Sequence, residues 1–281
     1  MSLAARIRRR VARWLAPDVH RVPAEQAHAL GAGTLVYTCN ICGTLCRAHV
    51  ASLMRETSSC PACDSNMRFR AVIHHLSMRL FERSLCIADF PESARELEGI
   101  GMSDSDKYAT RLAAKLRYTN TFYHQAPRLD IQSPPPEYRG RFAFVISSDV
   151  FEHVAPPIER AFDNLHRVLA PGGVLVLTVP FATEGRTVEH FPELHEYTLA
   201  KDGDEYVLSN RTVDGREQQF RNLVFHGGPG ATLEMRLFSE PDLCRHLADA
   251  GFSDIRVHRE PAFERGIYWK DPWSVPITAR A

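Results

Sequence analysis

The sequence predicts an α/β protein: a doubly wound, mostly parallel sheet with a small four-cysteine module near its amino end. Three observations carry that expectation. Short apolar segments alternate with helical patterns from residue 84 onward, two Cys-x-x-Cys pairs stand 17 residues apart, and a basic front precedes an acidic remainder. The chain of 281 residues has room for one large domain and an appendage. Its composition, 44% apolar and 24% charged, is that of a globular protein. It lacks the apolar run of about 20 residues that a membrane-spanning helix needs.

The expected organisation has three parts: residues 1–30, residues 31–83 and residues 84–281. The first part opens with a basic amphipathic helix, in which Leu3, Ile7, Val11, Trp14 and Leu15 recur at helical spacing with Arg6, Arg8, Arg9, Arg10 and Arg13 between them. Interrupted in this way, the apolar residues do not form the continuous core of a secretory signal, so a cytoplasmic location is expected. The helix suits docking on the body of its own chain, a peripheral membrane contact or a protein partner. Residues 1–83 carry 12 Lys or Arg against 5 Asp or Glu, a balance of +7 offset by −7 in the rest. Such a front suits an anionic partner, and it equally suits a solvated arginine-rich surface.

The second part holds Cys39 and Cys42 in CNIC and Cys60 and Cys63 in CPAC. Two residues between cysteines let both thiolates of a tight turn face one ion, and two such turns make the tetrahedral four-sulfur shell preferred by Zn²⁺. A closed shell of this kind is structural, holding together a zinc-ribbon segment too short to bury its own core. Cys46 lies outside the paired pattern. A helix over residues 67–81, with Phe69, Val72, Ile73, Leu76 and Leu80 along one side, bridges this module to the third part.

In the third part, strands are expected at residues 85–88, 97–102, 118–122, 142–146 and 174–179, with helices at 105–116 and 158–169 between them. Pro171, Gly172 and Gly173 end the second helix. Three pieces then occur in order: FAFVISSDVFEHV, HRVLAPGGVLVLTVPF and LFSEPDLCRHLADAGFSDIRV. Together they resemble the fourth strand, the fifth strand and the C-terminal helix-strand unit of class I S-adenosylmethionine-dependent methyltransferases of the type 11-like group. The resemblance spans residues 84–180 and 232–258. It implies a Rossmann-like sheet, S-adenosylmethionine as cofactor, and, since the zinc-bearing front is similar to that of some bacterial members acting on sugars or other small molecules, a small-molecule acceptor, with a sugar or glycan precursor among the candidates.

The resemblance places the first cofactor turn at residues 88–93, where Asp89, Pro91 and Glu92 replace the usual glycines. Gly99 and Gly101 are set aside as that turn because the charged residues 95–98 do not suit a buried central strand. Asp104 then follows the second strand, where an acid accepts from both ribose hydroxyls. Asp130 takes the position that contacts adenine in the family, and Ser148 and Asp149 end the fourth strand, at the sheet edge where ligands gather.

An insertion at about residues 181–231 interrupts the pattern, and a loop of that length in a compact domain is usually functional. His190, His195, Tyr197, Phe220 and His226 are candidates to line an acceptor pocket, and Gly227, Gly228 and Gly230 to form a turn within it. If the acceptor is a hydroxyl, a base must take its proton, for which His153 and His190 are the candidates. A metal set of His190, Glu193 and His195 is a weaker alternative to the cysteine site. Two other functions stay open: an RNA methyltransferase gripping phosphates through the zinc module, and a non-catalytic binding protein that lost its cofactor turn.

Overall fold

The computed structural model describes residues 33–281; the amphipathic segment expected near the amino end lies outside them. The described chain opens with an antiparallel hairpin, β1 (Thr34–Thr38) and β2 (Leu45–His49), whose turn carries the first cysteine pair. Helix α1 (Met67–Phe81) comes after the second pair and matches its expected bounds. Its start is set by Asn66, whose side chain accepts from the Phe69 amide, and its end by Glu82 in the left-handed conformation.

The main body runs β3 (Glu98–Met102), α2 (Asp106–Ala113), β4 (Arg117–Thr121), β5 (Phe142–Ser148), α3 (Ile158–Val168) and β6 (Leu169–Thr178). The insertion adds β7 (Phe181–Ala182), β8 (Val188–Glu189), β9 (Glu196–Asp202), β10 (Glu205–Arg211), β11 (Glu217–Phe220), β12 (Phe225–His226) and β13 (Thr232–Leu233). After it come β14 (Arg236–Ser239), α4 (Glu240–Asp249), β15 (Ser253–Val257) and β16 (Ile277–Arg280). The central sheet has the order β15-β16-β6-β5-β3-β4. The pairs joining β4, β3, β5 and β6 are parallel, and β16 and β15 join antiparallel.

This order corrects the expected strand register. Residues 85–88 form no strand; Ile87–Asp89 is a single 3-10 turn, and the Ile87 amide donates to the carbonyl of Asn40 in the cysteine module. The segment is used to hold the module. The first central strand is β3, which pairs with both β4 and β5. The charged residues that argued against it end at the sheet rim, where Glu98 pairs with Arg117 and Arg141, and the strand is buried from Gly99 onward. Its two glycines make room for neighbours. A Cβ on Gly99 would lie 2.2 Å from the ring of Phe144, and one on Gly101 would lie 2.0 Å from both the Asp104 carboxylate and the Tyr118 hydroxyl.

Strand alternation divides the core between the two faces of the sheet. Val145, Leu175 and Leu177 pack with α3 and α4, including Phe162, Leu165, Leu243 and Leu247. Phe144, Ile146, Val174 and Val176 pack on the other face with Val72, Ile73 and Leu76 of α1, with Leu112 of α2 and with Leu35 and Tyr37 of the module. The cysteine module is therefore part of one face of the sheet. Arg70 pins it there: wholly buried, it donates to the carbonyls of Ser65, Arg265 and Gly266 and lies over the Tyr37 ring.

The insertion is not a loop. It forms a three-stranded sheet β11-β10-β9 and a two-stranded sheet β12-β13 around a small core of Phe191, Leu208, Phe225, Leu233 and Met235. Among the described residues no helix is long and apolar enough to cross a membrane.

Candidate active site

The chain leaves β3 toward β4 and then returns to β5 on the other side of β3. The crevice that ligands occupy in open α/β sheets therefore lies beyond the carboxyl ends of β3 and β5. Both strands end in a non-glycine residue at positive φ, Ser103 at +56° and Asp149 at +57°. Side chains in this region strain the backbone, and such residues cluster at functional sites.

Asp149 and Ser148 are where the sequence put them, at the carboxyl end of β5, but each is already engaged. Arg55 donates to the two Asp149 carboxylate oxygens at 2.6 and 2.8 Å, and the Thr178 hydroxyl donates to one of them at 2.9 Å. Arg68 donates to the Ser148 hydroxyl at 2.6 Å and approaches Asp149 at 3.4 Å. Burial opposes ionisation of Asp149, yet the Arg55 and Arg68 guanidinium groups hold it well below the usual carboxylate range. Arg55 belongs to the loop between the cysteine pairs and Arg68 to the first turn of α1, so the module reaches the edge of the crevice.

Asp104 follows the first strand of the corrected register, not the second. Its carboxylate is buried beneath Gly101, and the hydroxyls of Tyr108 and Tyr118 donate to its two oxygens. Burial pushes its pKa up to about 7, against the opposing effect of those two hydrogen bonds. With the residue 5% exposed, the carboxyl faces these two tyrosines. Asp89, Pro91 and Glu92 likewise leave the site. The element before them is helix α1, not a strand of the central sheet, and Glu92–Glu96 is a 3-10 segment leading into the amino end of β3.

Past β4, Tyr123 is 50% exposed, and the chain folds back so that the Leu129 amide donates to the Phe122 carbonyl. Asp130 comes next, with one carboxylate oxygen accepting from the Gln132 amide. Tyr197 of the insertion stands near both: burial, and then Tyr123 and Asp130, raise its phenol pKa. Arg128 lies over the Tyr123 ring, 5.9 Å from its centroid, and His124 packs against it edge-on.

The cysteine site forms as expected. The Cys39 and Cys63 sulfurs lie 3.7 Å apart and those of Cys42 and Cys60 3.6 Å apart. All four ligand atoms lie within 4.8 Å of one another. Sulfurs bound tetrahedrally to zinc at about 2.3 Å would be roughly 3.8 Å apart, so the donor set fits the ion. None of the seven cysteines is in a disulfide. Cys46 is also close to Cys60, at 3.6 Å, while its thiol donates to the Thr44 carbonyl.

Beyond the carboxyl end of β5, the turn Phe151–His153 meets the segment that follows β6. His190 and His226 each donate through Nε2 to Glu234, at 2.8 and 2.9 Å. Burial would raise the Glu234 pKa, but these two imidazoles hold it at about 2. His153 packs its ring on that of His226, with centroids 4.6 Å apart. The structure thus gathers His153, His190 and His226 and leaves others aside. Glu193 pairs with Arg216 and Gln218, while the His195 amide donates to Asn210, so the alternative metal set of His190, Glu193 and His195 does not form. Phe220 packs in the insertion core, and Gly230, at positive φ, makes room for Tyr206.

Sequence reasoning missed Arg55, Arg68, Glu152 and Glu234. Each becomes part of a site through partners distant in the chain, and no spacing rule joins them. The FEHV tetrapeptide directly after β5 was the one signal for Glu152.

A sequence model of a family described as "Methyltransferase domain" matches residues 77–257. No curated protein matches the chain. Among solved structures, 1,6-didemethyltoxoflavin-N1-methyltransferase from Burkholderia thailandensis is 16% identical, with 76% of this chain and 88% of that one covered and a TM-score of 0.38. An S-adenosylmethionine-dependent methyltransferase from Clostridium acetobutylicum is 12% identical over 73% of this chain and 95% of that one, with a TM-score of 0.37. The CcbJ methyltransferase from Streptomyces caelestis is 13% identical over 69% and 90%, with a TM-score of 0.38. These structures are at low scores, and the assignment rests on the family match.

Proposed function

Because the chain belongs to the methyltransferase domain family, we propose that it transfers a methyl group from S-adenosylmethionine to a hydroxyl of a small polar acceptor of saccharide type. The observation that carries this reading is the His190–Glu234–His226 group, which the insertion presents beside the carboxyl end of β5. When bound, the cofactor supplies an electrophilic methyl carbon on a sulfonium that is already an excellent leaving group. The protein's task is then alignment, water exclusion and removal of the acceptor proton. Glu234 orients His190 by accepting a hydrogen bond from its Nε2–H, which leaves Nδ1 to take the proton of the attacking hydroxyl. Of the two histidines expected as bases, His190 is assigned the role. Ser103, Tyr123 and Asp130 hold the adenosyl portion, and Ser148 and Asp149 brace the edge of the crevice.

We further propose that Zn²⁺ is held by Cys39, Cys42, Cys60 and Cys63 in a structural role. By closing the loop that carries Arg55, the ion would support the crevice without taking part in the chemistry.

The RNA reading receives less support. Of the six described arginines of the basic front, Arg55 and Arg68 are bound to Asp149 and Glu56, Arg70 is buried and Arg79 pairs with Asp254, while Arg47 and Arg83 are exposed. The first four serve the chain's own fold. The test is calorimetric titration with S-adenosylhomocysteine, followed by methyl-label transfer to a panel of nucleotide sugars and to RNA. Cofactor binding with labelled sugar product is expected. Failure to bind cofactor at millimolar concentration, or label transfer to RNA alone, would overturn the reading.

A further inference from the structure

Glu152 is wholly buried at the carboxyl edge of the sheet, and neither of its carboxylate oxygens has a hydrogen-bond partner. A buried carboxylate without partners is costly enough that a proton or a cation must accompany it. What faces it narrows the choice. The Nε2 atom of His153 lies 3.7 Å and the Nδ1 atom of His226 3.8 Å from the same oxygen, Oε1. Both separations are too long for hydrogen bonds.

The other ring nitrogens decide what those two atoms carry. His153 Nδ1 lies 2.8 Å from the Leu233 carbonyl, which can only accept, so Nδ1 holds the ring proton. His226 Nε2 lies 2.9 Å from the Glu234 carboxylate and holds its proton for the same reason. In the neutral rings the nitrogens turned to Glu152 are bare lone pairs. Two imidazole lone pairs and a carboxylate oxygen converge on one space, with all three ligand atoms within 4.8 Å of one another. Atoms bound to one ion at about 2.0–2.2 Å stand roughly 3 to 4 Å apart, the range of both nitrogen separations from Oε1. Each histidine also has the outer partner, a carbonyl or a carboxylate, that metal-bound histidines characteristically use to fix ring orientation.

We propose that Glu152, His153 and His226 form a binding site for a divalent first-row transition-metal cation, distinct from the four-cysteine site. Two imidazoles and one carboxylate suit such an ion, and three protein ligands leave a coordination position open. In naming what fills that position, an oxygen of the acceptor, the inference rests on the methyl-transfer reading; binding of the ion does not.

The test uses the full chain loaded with one equivalent of zinc and titrated with Co²⁺, read by calorimetry and by elemental analysis after desalting. One further equivalent of Co²⁺ is expected with the zinc retained, and Glu152→Gln and His226→Gln should each weaken its binding at least tenfold while keeping the wild-type circular dichroism. Absence of Co²⁺ binding in the wild-type protein overturns the proposal whether or not the variants fold, as does undiminished binding in folded Glu152→Gln. Retained Co²⁺ binding in a protein that does not bind S-adenosylhomocysteine would overturn the methyl-transfer reading and leave this site standing.

Discussion

Arg55 donates two hydrogen bonds to Asp149, tying the loop between the cysteine pairs to the carboxyl end of β5 across 94 positions of sequence. Both side chains are largely buried, at 13% and 20% exposure. The pair makes the cysteine module a support for the crevice edge, and much of the protein's expected behaviour depends on that connection.

Breaking the pair from one side should be costly, because the remaining charge is left buried without its partner. Arg55→Ala is expected to lower stability by about 3 kcal/mol, and Asp149→Asn by a similar amount. The double variant should lose less than the sum of the two in a denaturant-unfolding cycle. Additive losses would show that the two residues act independently.

Removal of the proposed zinc should be felt at the crevice as well as in the module. Cys39→Ser or strong chelation is expected to lower the melting temperature by roughly 10 °C and to weaken S-adenosylhomocysteine binding about tenfold. Differential scanning calorimetry and titration calorimetry measure the two effects. An unchanged cofactor affinity would mean that the crevice does not depend on the module.

Asp104 gives a pH dependence of definite sign. Its folded pKa, about 7, lies above the ordinary carboxylate value of 3.8. Between those values the native state keeps a proton that the unfolded state has lost. This contribution to stability is therefore fully present below about pH 4 and is lost as pH rises toward 7, by about 1 kcal/mol per unit. Asp104→Asn should remove this slope in urea titrations run at several pH values, and the difference from wild type isolates it from other buried groups.

Gly101→Ala tests the packing beneath the crevice. The added methyl would meet the Asp104 carboxylate and the Tyr118 hydroxyl at 2.0 Å, so those groups must separate or the strand must shift. A loss of about 3 kcal/mol is expected from equilibrium unfolding.

For the chemistry, His190→Gln should lower kcat by about 10² to 10⁴ with little change in KM, as for loss of a general base. Glu234→Gln should lower kcat less, because it removes the orientation of the ring and leaves the ring itself.

The sequence was most legible where a pattern is local. The paired cysteines, α1 with its Asn66 cap, β5 and the end of α3 before Pro171 can each be read from neighbours a few positions apart. The strand at residues 97–102 was legible, but its central place was not, for a physical reason. The charged residues before it argued against a buried strand, and only the pairing of Glu98 with Arg117 and Arg141 shows that they stop at the sheet rim. With that change of place Asp104 follows the central strand, its carboxyl turned to Tyr108 and Tyr118. His153, His190 and His226 were visible as residues, but Glu152 and Glu234, which relate them, were not.

By itself, the amino-acid sequence determined the α/β class, the four-cysteine cluster, the position of the insertion and the residues ending β5, because hydrophobic period, turn residues and ligand spacing are short-range properties. Only the tertiary structure decided which strand stands at the centre, that Asp104 faces two tyrosines, that Arg55 reaches Asp149 and that two histidines turn ring nitrogens toward Glu152. Those relations depend on which distant segments share a sheet edge. Strand order is set by the packing of both faces together, and no single stretch of residues encodes it.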